Sequence, residues 1–140
     1  MPTALTRNEI VSPEAIGLLR HETACAVADA GVDEALLPAI RLCISEALTN
    51  AAMHAYPGHS GLVEISVELE SDEVVVTVRD GGCGLGGSAH RRRGDGGLGL
   101  ELIGKLTDGL RVTSESGRGT EVRMAFARAE SSPAARFSSP

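Results

Sequence analysis

Residues 63–84 read Val-Glu-Ile-Ser-Val-Glu-Leu-Glu-Ser-Asp-Glu-Val-Val-Val-Thr-Val-Arg-Asp-Gly-Gly-Cys-Gly. Val63, Ile65, Val67 and Leu69 alternate with Glu64, Ser66, Glu68 and Glu70, the period-2 pattern of a strand with one apolar and one wet face. Ser71-Asp72 supplies a turn, and Val74, Val76 and Val78 carry a second strand up to Asp80. That strand ends on an acid with Gly81, Gly82 and Gly84 directly behind it. Glycines after a strand let the backbone approach a ligand closely. A carboxylate there can accept a hydrogen bond from an exocyclic amine such as that of adenine. Asp-Gly-Gly is also an ordinary turn, so taken alone the stretch supports either reading.

Towards the N-terminus, Ser12-Pro13-Glu14 opens a helix: Ser caps, Pro suits the first helical position, and Glu complements the dipole. Ile16, Leu19, Thr23, Ala26 and Val27 fall on one face, and Gly31 stops the helix. Asp33 is positioned to cap a second helix through Leu37, Ile40, Ile44, Ala47, Leu48 and Ala51, ending before the turn Tyr56-Pro57-Gly58. Towards the C-terminus, a glycine-rich segment from Gly81 to Gly99 leads into a short helix with Leu100, Ile103 and Leu106. A last hairpin pairs Leu110 and Val112 with Val122, Met124 and Phe126 across Gly117-Arg118-Gly119. A sheet with one apolar face needs helices over it. The expectation is therefore a two-layer α/β sandwich, a mostly antiparallel sheet with helices on one face. Residues 1–128 form the domain, and the Ser-, Ala- and Pro-rich segment 129–140 reads as a disordered tail.

The chain has 140 residues, 42% hydrophobic and 23% charged, enough for one core without disulfides. Tyr56, Phe126 and Phe137 are its only aromatics, so the core is aliphatic. A net charge of -6 argues against a direct nucleic-acid partner, which needs a basic face. The one basic run, Arg91-Arg92-Arg93, lies among glycines and reads either as a solvated loop or as a contact to phosphate or an acidic partner. No apolar stretch approaches the roughly 20 residues of a membrane span, and no signal pattern is present, so a cytoplasmic protein is expected. Cys25, Cys43 and Cys83 read as free thiols, with Cys25 and Cys43 as core filler and Cys83 inside the glycine motif.

Three further elements bear on chemistry. Glu46, Asn50 and His54 recur at i, i+4 and i+8 on one face of the second helix, whose other face is apolar. This stripe is either a solvated face or a site at the layer boundary. Gly94-Asp95-Gly96-Gly97-Leu98-Gly99-Leu100 opens the short helix and offers free N–H groups to phosphates. It lacks the Gly-Lys-Ser/Thr of a P-loop and does not join parallel strands as a Rossmann turn does. Gly117-Arg118-Gly119-Thr120 is a hairpin turn whose hydroxyl can also support the adenine end of a nucleotide.

In this order and on these elements the motifs resemble the four boxes of the GHKL ATPases, the Bergerat-type ATP fold shared by gyrase, heat-shock chaperones and histidine kinases. The boxes are Glu46-x-x-x-Asn50, Asp80-x-Gly82-x-Gly84, Gly97-x-Gly99 and Gly117-x-Gly119-Thr120, spanning about Ser12 to Ala127. Ser45-Glu46-Ala47-x-Thr49-Asn50-Ala51-x-x-His54-Ala55-Tyr56 and Gly97-Leu98-Gly99-Leu100-x-Leu102-Ile103 are most similar to bacterial anti-sigma-factor serine kinases. One departure is that the strand often preceding the first helix is poorly marked here. The resemblance implies ATP and Mg²⁺ as cofactors, with Asn50 holding the metal and Glu46 as general base on an incoming serine. It implies adenine recognition by Asp80 with Gly82 and Gly84, a phosphate cradle at Gly97, Leu98 and Gly99, adenine support from Thr120, and a lid over Gly86–Gly96. As partners it implies a sigma factor, an anti-anti-sigma (STAS-type) protein as phosphorylation substrate, and a second copy in a homodimer. Two alternatives remain: an ATP-responsive binding module without kinase activity, and a detached histidine kinase catalytic domain. His21-Glu22-Thr23 looks like a phospho-acceptor box, but it begins 25 residues before Glu46. That spacing leaves no room for a dimerisation hairpin, so His21 reads as a surface residue.

Overall fold

The computed structural model describes residues 3–52, 61–82, 97–115 and 119–128. In chain order these form strand β1 (Thr3–Ile10), helix α1 (Pro13–Asp29), a 3₁₀ turn (Glu34–Leu36), helix α2 (Leu37–Asn50), strands β2 (Leu62–Leu69) and β3 (Glu73–Asp80), helix α3 (Gly97–Leu106), and strands β4 (Gly109–Glu115) and β5 (Gly119–Ala127). The strands make one sheet in the order β1-β2-β3-β5-β4. Every neighbouring pair is antiparallel.

The hairpin 63–80 forms as its alternation requires. Its register runs from Val63↔Asp80 to Leu69↔Val74, and the Glu70 N–H closes the turn on the Glu73 carbonyl at 2.8 Å. Val63, Ile65 and Val67 face the helices and are at most 1% exposed. They join Leu19 and Val27 of α1, Ile40, Ile44 and Leu48 of α2, Ile103 of α3, and Val122, Met124 and Phe126 of β5 in one core. Each such side chain contributes about 1.5–3 kcal/mol by leaving water. The core is aliphatic as composition requires, with Phe126 its one aromatic among the described residues.

The helix ends follow their signals, with one displacement. Ser12 caps α1 by accepting from the Ala15 N–H at 3.0 Å, and Gly31, at φ 100, turns the chain out of the helix. Asp33 accepts from the Ala35 N–H at 3.0 Å, so it caps the 3₁₀ turn rather than α2 itself. Helix α2 enters through Leu37-Pro38 without a side-chain cap.

Two expectations are corrected. A strand does precede the first helix. Only Leu5 is apolar among the β1 residues on the helix side, while Arg7 and Glu9 occupy the other inward positions. Arg7 there reaches Glu22 of α1 at 2.9 Å, so an ion pair at the rim stands where apolar alternation would have marked the strand. Cys25 is exposed rather than core filler, because Thr23, Ala24 and Val27 take the inward positions of α1 at that turn. Cys43 is fully buried, as expected.

The sheet's other face carries no helix among the described residues, yet Val75 there is 0% exposed. Arg123 of β5 pairs with Glu70, at the end of β2, at 3.3 Å. This ion pair joins the strands on either side of β3 and so crosses over Val75, its long stems covering apolar surface. The expected tail, 129–140, lies outside the described residues. Among those described, no helix is long and apolar enough to cross a membrane.

Candidate functional site

The site grows from the end of β3. Asp80 shares a face with Val78 and Val76, opposite Val63 on one side and Thr120 on the other, so it belongs to the helix side of the sheet. Its Oδ1 accepts from the Gly82 N–H at 3.0 Å and from the Thr120 N–H at 3.3 Å. Both bonds go to one oxygen, so among the described residues Oδ2 keeps its acceptor capacity. Burial pushes the Asp80 carboxyl above its ordinary value, and the two N–H groups pull it part of the way back. A ligand N–H donated to this carboxylate would favour the charged form and relieve that desolvation.

The position depends on Gly119. It has φ 106, and a Cβ there would fall 2.0 Å from the Asp80 carbonyl oxygen and 2.9 Å from Gly81 Cα. Only a residue without Cβ lets the start of β5 press so closely on the end of β3. That approach is what brings the Thr120 N–H to Asp80. The Thr120 hydroxyl lies 3.3 Å from that of Ser114, which ties β5 to β4 beside the site.

Helix α2 packs between α1 and α3 on the same side of the sheet. Glu46 and Asn50 sit one turn apart near its C-terminal end, both half-buried. Asn50 Nδ2 is buried and has no hydrogen-bond partner among the described residues. The thiol of Cys43 is pushed up to about 11 by burial and, secondarily, by the charge of Glu46, which places that carboxylate within electrostatic reach of the core. After Asn50, Ala51 and Ala52 widen into a π turn, a distortion that recurs at functional sites. Gly97, Leu98 and Gly99 form the first turn of α3, so the glycine segment does open a helix. Gly84, His54, Cys83, Arg91–Arg93 and the segment 86–96 lie outside the described residues.

On the opposite face, directly behind Asp80, Arg79 bridges Glu64 of β2 at 2.5 Å and Glu121 of β5 at 3.2 Å. Burial alone would lower the Arg79 pKa, but the hydrogen bonds and charges of the two glutamates raise it. A groove of about 390 Å³ opens beside this row, between Asn8 and Thr113, and backs onto Asp80, Gly81 and Gly119. No sequence motif marks this cluster as a whole. Counting back from the turn at Ser71-Asp72 pairs Glu64 with Arg79, a signal that was available. The link to Glu121 was not, because it depends on β5 lying beside β3.

Comparison with known proteins agrees with this arrangement. The sequence profile described as histidine kinase-like ATPase domain matches residues 11–126. The anti-sigma F factor of Clostridium acetobutylicum is 31% identical over 94 residues, 61% of this chain and 66% of the relative. That of Pasteuria penetrans is 35% identical over 96 residues, 61% of this chain and 64% of the relative. Both matches thus span just under two thirds of the relative's length. The solved structure of the RsbU and RsbW domains of a Mycobacterium tuberculosis protein superposes with a TM-score of 0.68 over 91% of this chain and 33% of that one, at 22% identity, and so speaks for the fold. With four-fifths of its length under the profile and the acid, glycines and helix-opening turn in their places, the chain belongs to the histidine kinase-like ATPase domain family.

Proposed function

We propose that this domain, residues 1–128, binds ATP with Mg²⁺, holds a sigma factor, and phosphorylates a serine of an anti-anti-sigma protein. The single observation that carries the nucleotide reading is Asp80: a half-buried carboxylate with one oxygen fixed by two backbone N–H groups and the other able to accept. That is the form of a recognition group for an exocyclic amine. The similarity to anti-sigma F factors supports the protein-kinase part.

The residues present fit the cofactors. The Asn50 carboxamide has a buried end without a partner among the described residues, and its oxygen is a hard donor of the kind Mg²⁺ takes alongside waters and phosphate oxygens. When bound, the metal supplies positive charge to the phosphates. Gly82 and Gly84 allow close approach to the base, Thr120 backs it, and Gly97, Leu98 and Gly99 present the N–H groups of the first turn of α3 to the phosphates. Glu46, one turn before Asn50, takes the proton of the attacking serine hydroxyl or aims that hydroxyl. A homodimer, a sigma factor and a STAS-type substrate complete the proposal, and a cytoplasmic location follows from those partners.

The test is transfer of labelled γ-phosphate to candidate antagonist proteins, with ATP binding measured by calorimetry. Acid-stable label on serine is the expected result. Acid-labile label would favour the histidine kinase alternative, and binding without transfer the ATP-responsive module. Glu46→Gln keeps the shape and removes the base. It should leave ATP affinity unchanged while transfer slows by about 10²–10⁴. A normal transfer rate in this variant would remove Glu46 from the role.

A further inference from the structure

We propose that Arg79 is a positioning residue for base recognition: from the far side of the sheet it sets the geometry in which Asp80 accepts its ligand. The inference rests on the reading of Asp80 as the adenine-recognising acid. Asp80 is the last residue of β3, and Thr120 is the second of β5. Strand ends open locally at little cost, and the Thr120 N–H to Asp80 bond, at 3.3 Å, is the longer of the two that fix the carboxylate. The last apolar pair between β3 and β5 is Val78 with Val122; beyond it Asp80 faces Thr120 and the strand begins at Gly119, so no apolar side chain joins the two strands at the Asp80 position itself.

Arg79 fills that gap. Its register partners are Glu64 and Glu121, and it bonds both, so one guanidinium fastens β2, β3 and β5 together one residue before Asp80. The planar fork is suited to holding two carboxylates at once in a way an ammonium is not. Fastened there, β5 keeps the Thr120 N–H on Asp80 Oδ1, and the carboxylate cannot rotate away from its ligand. Released, β5 moves off by the few tenths of an ångström that a 3.3 Å bond cannot absorb. The adjoining groove leaves the clamp open to water and salt. A comparable ion pair, Arg123–Glu70, crosses the same face further from Asp80 and provides an internal control.

The experiment compares the affinities for ATP and for purine riboside triphosphate, which lacks the 6-amino group, by calorimetry. The proteins are wild type, Arg79→Met, Arg79→Lys and Arg123→Met. Arg79→Met is expected to weaken ATP by about threefold to fivefold and to leave the purine analogue unchanged, so the preference for the amino group falls by that factor. Arg79→Lys, which keeps the charge without the fork, should fall between, and Arg123→Met should keep the wild-type preference. Should Arg79→Met fail to fold, Glu121→Gln removes one arm of the clamp and should lower the preference in the same direction. An unchanged preference in the Arg79 and Glu121 variants, whether both affinities fall together or neither does, overturns the proposal. A wild type that binds both nucleotides equally would instead overturn the adenine reading of Asp80, and this role with it.

Discussion

Asp80 and Asp108 are both aspartates at element ends that accept backbone N–H groups, and they sit at opposite ends of the sheet. Asp108 Oδ2 takes the Ala127 N–H at 2.8 Å, and the Asp108 N–H returns to the Ala125 carbonyl at 2.9 Å. Around it the chain closes on itself: the Arg128 N–H bonds the Asp72 carbonyl at 3.1 Å, and the Arg128 guanidinium bonds the Glu70 carbonyl at 2.7 Å. Asp108 is exposed and finishes a structure. Asp80 is half-buried, carries a raised pKa, and has one oxygen committed to the fold and one not. The same side chain in the same kind of bond thus does two jobs, and burial separates them. Asp108 ends a structural element in water, whereas Asp80 is held partly out of water, which accords with the ligand role proposed for it.

The sharpest way to break the contrast is through the glycines beside each acid. Gly119→Ala places a Cβ 2.0 Å from the Asp80 carbonyl oxygen at a φ that alanine disfavours. It should destabilise the domain by about 3–5 kcal/mol, from left-handed strain plus overpacking. At the other end, a Cβ on Gly109 would meet Ala125 Cβ at 3.6 Å, an ordinary contact. Gly109→Ala should stay within about 1 kcal/mol. Urea unfolding of both variants measures the difference, and equal midpoints would show that the approach of β5 to β3 is not as tight as described.

Next in size is the ligand itself. Asp80→Asn keeps an oxygen for the Gly82 and Thr120 N–H groups but turns the other acceptor into a donor. ATP affinity should drop by about 1.5–3 kcal/mol, one to two decades, in calorimetry. Asp108→Asn should leave affinity untouched. Should both variants bind ATP like the wild type, Asp80 is not the acid that meets the nucleotide.

Asp108→Ala should cost about 0.5–1.5 kcal/mol of stability through the lost bond to Ala127, with nucleotide binding preserved. The smallest effect has the opposite sign. Because the folded pKa of Asp80 lies above the ordinary value of 3.8, the folded state favours the protonated form. That contribution is present below the unfolded pKa and is lost as pH rises through the folded one. Above that range the wild type carries a desolvated charge that Asp80→Asn does not. The apo variant should therefore be the more stable protein near neutral pH, and the gap should close as pH falls towards 4. A variant less stable at every pH would mean that the two N–H bonds outweigh the desolvation.

What could be read in the sequence follows the same division between local and assembled features. The hairpin 63–80, the Ser12 cap and the burial of Cys43 were legible, because each is set by residues a few positions apart. Strand β1 was not, since its inward positions hold Arg7 and Glu9, and Arg7 pairs both with Glu9 and with Glu22 of α1, a partner no periodicity reveals. Cys25 was misplaced because one helical position separates the buried stripe from the exposed one. The acid and its glycines announced a site. The bond from Thr120, 40 positions away, and the clamp by Glu121, 42 positions from Arg79, exist only once β5 pairs with β3.

That pairing also sets a schedule for the newborn chain. Strand β3 gains one neighbour at once, through a tight turn to β2, but its other edge waits for β5. At the usual pace of synthesis, roughly 2–8 s separate Asp80 from Thr120. During that interval β3 presents an unpaired, valine-rich edge, the kind that invites aggregation. The second donor to Asp80 has not yet been made. The final strand therefore ends the hazardous interval and completes the Asp80 anchor in one step, so an unfinished chain still on the ribosome lacks the finished site.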